Sequence, residues 1–267
     1  MEAVAVEMKV RGPLAPGLVR ALAAEELKLR RTLALALVVI APLVIAVLQG
    51  VMLDDCGLDC LQGKGDVWLW FSKQSMLFWA LLMMPLFITL QTALIANLDH
   101  GARAWKHLFA QPVSRGAIYT AKLIAGTVLI ALSMLGMVFF TAMVGSVLRA
   151  LHPEYGFEAA IPWGFLFQLA GIIFAGSWFI LTLHNWVALR WGNFVVPSAV
   201  GITLTVIALM VSNSDFWVQY YPWSLPAFMV ERFWEGGFAW HSLAIGFGGG
   251  WVIALMGGWL FVRRDIL

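Results

Sequence analysis

Six stretches of this chain carry no Lys, Arg, Asp or Glu and are long enough to cross a hydrocarbon layer, which takes about 20 apolar residues. They run from about 33 to 53, 76 to 98, 123 to 148, 161 to 184, 194 to 212 and 242 to 262. A backbone in lipid must satisfy its own hydrogen bonds, so each stretch is expected to be helical. The composition agrees: 61% of the 267 residues are apolar and 12% charged, about half the charged share of a soluble domain. The fold class that follows is an all-α membrane protein with six transmembrane helices. Pro42 and Pro85 fall mid-span and are expected to kink the first two. No small-residue cleavage site precedes the first stretch, which is expected to stay as an anchor.

Orientation follows from Lys and Arg. Thirteen lie in the amino-terminal arm, the region between spans two and three, the 185–193 loop and the tail, against four at Lys64, Lys73, Arg149 and Arg232. That asymmetry places both termini in the cytoplasm, and the loops at 54–75 and 213–241 outside. Cys56 and Cys60 then face an oxidising side if the membrane is a bacterial plasma membrane. They form either a local disulfide or two unbonded thiols in a loop.

Residues 1–32 form a cytoplasmic arm, and residues 33–267 one six-span membrane domain. Within the arm, LVRALAAEELKLRRT is built of strong helix formers, with Leu18, Leu22 and Leu29 at helical spacing and Glu26 four before Arg30. It suits an amphipathic helix lying on the inner leaflet, or a cytoplasmic extension of span one. In the last span Gly246 and Gly250 are four apart, a spacing that allows close helix packing.

Chemistry is sparse. There is no HExxH, GxSxG or GxxxxGK[ST], and no metal-binding or catalytic set of His, Asp and Glu inside a span. His184, near the cytoplasmic end of span four, is expected to reach the headgroups. Uncharged spans argue against a proton- or sodium-coupled pump, which keeps ionisable groups at depth. Energy for uphill transport would have to come from a partner.

Residues 97–122, NLDHGARAWKHLFAQPVSRGAIYTAK, stand out between spans two and three. Placing Arg103, Lys106 and Arg115 at mid-bilayer would cost about 8 to 10 kcal/mol. GARAWKHLFA can form a short amphipathic helix with Ala102, Trp105, Leu108 and Phe109 on one face and Arg103, Lys106 and His107 on the other. Pro112 stops it, and Ser114 can cap the next helix through Tyr119 and Lys122 into span three. The apolar face has two places to hide: the headgroups of its own membrane, or a groove on a cytoplasmic partner.

This run resembles the coupling segment of type-2 ATP-binding-cassette (ABC) exporter permeases, which Asp99, Gly101, Trp105, Leu108, Pro112, Ser114, Arg115 and Lys122 match. LHNWVALRWGNFVVPSAVGI and YYPWSLP look like the subgroup tied to lantibiotic and bacitracin immunity. The resemblance implies a non-catalytic permease subunit with a cytoplasmic coupling helix between spans two and three. Its site residues are Asp99, Gly101, Arg103, Trp105, Lys106, His107, Leu108, Phe109, Pro112, Ser114 and Arg115. It implies two cytoplasmic ABC ATPase subunits that hold the ATP and Mg, a second permease copy or close relative, membrane lipid around them, and no nucleic acid. No cofactor is expected on this chain. Outer half-helices before span six are implied for SDFWVQYYPWSLPAFMVERFWEGG, with Tyr220, Tyr221, Pro222 and Trp223 at the outer interface on a cargo path; an aromatic belt would use the same residues. The implied cargo is an amphipathic peptide antibiotic or lipid-linked compound. The same scaffold also serves sodium, polysaccharide, or haem- or copper-related factors, and a passive immunity or assembly protein would need no ATP.

Overall fold

The computed structural model describes residues 14–30, 32–101 and 113–263, with the side chains of 14–16 left aside. Among these the regular structure is entirely helical. Helix α1 (Leu14–Leu29) ends in a tight turn where the Thr32 hydroxyl donates to the Leu29 carbonyl at 2.7 Å, and α2 (Leu33–Cys56) follows at once. Four stretches are long and apolar enough to cross a membrane: Leu33–Cys60, Val67–Gly101, Arg115–Leu151 and Trp240–Val262. A bent helix pair makes a fifth if counted as one span.

The second stretch begins nine residues earlier than expected. The Asp66 carboxylate accepts the Leu69 amide at 3.2 Å, which caps α3 (Val67–Phe78) at its start. Lys73, which had marked this region as a water-facing loop, instead sits on α3 with its ammonium 2.8 Å from Glu231. A π turn (Trp79–Met83) joins α3 to α4 (Met84–Gly101), placing Pro85 at the second position of α4. Proline has no amide to give the carbonyl four residues back, and its ring crowds that carbonyl. The one-residue bulge absorbs both effects within a continuous span.

Helix α5 (Arg115–Leu151) is 37 residues long, about 56 Å, and so outruns a hydrocarbon core of about 30 Å. Its glycines let neighbours in: Gly136 faces the Pro42 ring of α2, and Gly145 faces Trp68 of α3. Beyond α5, Tyr155 and Phe157 are buried in a small core with Trp68 and Phe71, and the Trp68 and Phe157 rings meet edge to face at 5.0 Å.

The fourth apolar stretch is not one straight helix. It is α6 (Trp163–Gly176) and α7 (Trp178–Arg190), bent by 44° at Gly176–Ser177. Backbones pack closely at the bend: a Cβ on Gly176 would lie 3.1 Å from the Pro226 Cα, and one on Gly246 would lie 2.8 Å from the Gly176 carbonyl oxygen. Close backbone approach, the role expected of Gly246, thus occurs where the chain turns. Helix α8 (Val195–Val211) has 17 residues, about 25 Å, short of a full crossing. Helix α9 (Leu225–Trp234) buries Leu225, Pro226, Met229 and Val230. The chain ends in α10 (Trp240–Leu243), a second π turn (Ala244–Gly248) and α11 (Gly249–Val262).

Candidate functional site

The two helices that flank residues 102–112 meet the amino-terminal helix in a buried group of four charges. Helix α4 contributes Asp99, 2% exposed, from its last turn; α5 contributes Lys122, fully buried, two turns in; α1 contributes Glu25, 3% exposed, and the partly exposed Lys28. The contacts close a ring of alternating sign. Glu25 meets Lys28 at 2.8 Å, Lys28 meets Asp99 at 2.9 Å, Asp99 meets Lys122, and the Lys122 ammonium returns to both Glu25 oxygens at 3.0 and 3.1 Å.

Two cations and two anions leave the ring with no formal net charge. A lone ion at such depth would cost several kcal/mol after relaxation, whereas each member here has two opposite neighbours. Burial pulls the Lys28 ammonium down, but hydrogen bonds to Asp99 and Glu25, and their charges, override it and hold this group above the ordinary lysine value.

Sequence reasoning missed this ring. It placed α1's apolar face at Leu18, Leu22 and Leu29, whereas the described α1 residues turned fully inward are Ala21, Glu25 and Leu29. The available signal was a carboxylate on that inner stripe, four residues from each apolar neighbour. Its partner Lys122 lies 97 positions away in the sequence.

The flanks of the segment are tied elsewhere too. Ser114 caps α5 by accepting the Ala117 amide at 3.2 Å. Arg115 donates to the Val262 carbonyl at 3.2 Å, a cation on the last turn of α11. His100 of α4 contacts the Ala188 carbonyl of α7 at 3.2 Å, and among the described residues no atom lies within 4 Å of where a Gly101 side chain would stand. Of the other expected coupling residues, Arg103, Trp105, Lys106, His107, Leu108, Phe109 and Pro112 lie outside the described residues.

One expectation is corrected: His184 does not reach the headgroups, for it is fully buried midway along α7, 3.4 Å from the Thr89 hydroxyl and edge-on to Trp223 at 5.7 Å. Trp223 is 3% exposed, its ring packed inside the bundle. Of its neighbours, Tyr220 is exposed, Pro222 half-buried, and the Tyr221 hydroxyl donates to the Leu204 carbonyl at 2.8 Å. Position along a span gives depth but not which face points inward. Cys56 and Cys60 are joined by a disulfide across the turn that ends α2.

Several long apolar helices, packed around buried charge where two of them approach a connecting segment, define a multi-pass membrane protein. The sequence model of the ABC-2 family transporter protein family matches residues 21–211, well over half the chain, and the chain belongs to that family. It is therefore a membrane component of an ABC transporter. No individual curated protein matches it.

Proposed function

We propose that the chain is the permease subunit of an ABC exporter, paired with a second copy or close relative and driven by two cytoplasmic ATPase subunits that bind ATP and Mg. The observation that carries this reading is the pair Asp99 and Lys122. They stand at the two roots of the segment 102–112 and are joined through one buried ring, so a displacement of that segment reaches both spans together. Residues 102–112, with Trp105, Leu108 and Phe109 as the apolar face, dock in a groove of the ATPase. ATP-driven closure of the partners moves the segment as a rigid piece and switches the bundle between two packings.

The bent pair α6–α7 serves as the fourth span and α8 as the fifth, giving six. An even number keeps both termini on one side, which the Lys and Arg distribution favours as the cytoplasm of a bacterial cell. The cargo is an amphipathic peptide antibiotic or lipid-linked compound taken from the membrane, a reading supported by the resemblance of LHNWVALRWGNFVVPSAVGI and YYPWSLP to the lantibiotic and bacitracin immunity subgroup.

Two experiments test this. With Trp105→Glu, partner ATPase co-purification and stimulated ATP hydrolysis should fall at least about tenfold, the size of a lost interface anchor, while membrane insertion is unchanged. Undiminished assembly would remove the docking role. For orientation, a membrane-impermeant maleimide applied to intact cells should label Cys56 and Cys60 only after reduction. Labelling that requires permeabilised cells would reverse the topology.

A further inference from the structure

Helix α1 packs along α5, and beside the ring an apolar groove of about 680 Å³ opens between Val19, Leu22 and Leu29 of α1 and Ile124, Val128 and Leu132 of α5. Of the fully buried residues described on α1, two are apolar, Ala21 and Leu29, and between them sits Glu25. Among the described residues, the side-chain hydrogen bonds from this helix to α4 and α5 are ionic and come from Glu25 and Lys28.

That link is also selective. Glu25 and Lys28 together touch Asp99 and Lys122, the buried charged groups of the two helices that flank the 102–112 segment. Asp99 and Lys122 contact each other directly as well, so the α4–α5 tie does not need α1. Ionic contacts suit a joint that must hold position while the apolar surface beside it remains open, because their geometry is directional and apolar contact is not.

We infer that Glu25 and Lys28 are positioning residues of the transport cycle: they clamp α1 to the roots of the coupling segment, so that α1 travels with that segment as one body. The inference rests on the coupling reading above but adds a moving part to it, a helix whose displacement sets the width of the groove on the flank of α5.

The test is Glu25→Gln with Lys28→Gln in the full chain. This pair removes one anion and one cation, keeps the ring neutral, and leaves Asp99 and Lys122 in contact, so the bundle itself is expected to fold. Hydrogen exchange of the chain in lipid nanodiscs should quicken in α1 by at least about tenfold, a loss of roughly 1.4 kcal/mol of local protection, with α4 and α5 unchanged. In complex with the partner ATPase, the double variant should still co-purify, yet permease-stimulated ATP hydrolysis should drop severalfold; Lys28→Arg should restore both readouts. Unchanged exchange in α1 would overturn the clamp. Faster exchange with undiminished stimulation would overturn its role in the cycle. Loss of co-purification, the result Trp105→Glu is designed to produce, would show that Glu25 and Lys28 hold the docking segment itself and would also overturn the inference. The coupling reading falls separately, if Trp105→Glu leaves assembly intact.

Discussion

Lys122→Met should lower the unfolding midpoint of the detergent-solubilised chain by roughly 10 °C, from a loss of about 3 to 5 kcal/mol. The replacement fits the space but leaves Glu25 and Asp99 buried with Lys28 as their remaining cation within the ring. Removing one member of a buried ion cluster is costly because the others stay desolvated and uncompensated. The charge argument makes a second, sharper forecast. Adding Glu25→Gln to Lys122→Met returns the ring to one anion and one cation, Asp99 and Lys28, at 2.9 Å. The double variant should therefore be more stable than Lys122→Met alone, with a coupling of about 1 to 3 kcal/mol between the two sites. Fluorescence-detected size exclusion after heating, run on the parent chain, each single variant and the double variant, measures the coupling. If the two losses simply add, the ring is not an electrostatic unit.

The apolar stretches were readable from sequence because lipid imposes a coarse rule that composition alone satisfies. The Ser114 cap was readable too, since capping is local chemistry. What escaped were features set by distant residues. Lys73 looked like a loop marker, and Glu231, which neutralises it, is 158 positions away. The bend at Gly176–Ser177 carries no proline, and the backbones of Gly246 and Pro226, about 50 or more positions away in sequence, approach it closely. His184 was assigned to the headgroups by its place near the end of a span, yet it points into the bundle. The ring shows the same limit: Lys122 looked like a cation at the mouth of a span until Glu25 and Asp99 came to meet it.

Gly246→Leu should be nearly as damaging as Lys122→Met, for a different reason. Three backbones meet at one level: the break between α6 and α7, the π turn before α11, and the start of α9. A Cβ on Gly246 would come within 2.8 Å of the Gly176 oxygen and 3.1 Å of its Cα, and a Cβ on Gly176 would itself lie 3.1 Å from the Pro226 Cα. None of these atoms can swing away as a side-chain tip would, so elements must separate. Overpacking of this kind costs about 1 to 3 kcal/mol, and a backbone clash on two sides belongs at the upper end. Gly248 lies in the same π turn with an ordinary helical φ of −66°, and among the described residues no atom stands within 4 Å of a Cβ built there. Gly248→Ala is therefore expected to be neutral or to stabilise by about 0.4 to 1 kcal/mol, through the entropy of the unfolded chain. A midpoint for Gly246→Leu several degrees below that of Gly248→Ala locates the cost in the crossing. Equal midpoints would mean that the crossing is loose enough to admit a side chain, and the packing account of the α6–α7 bend would fail with it.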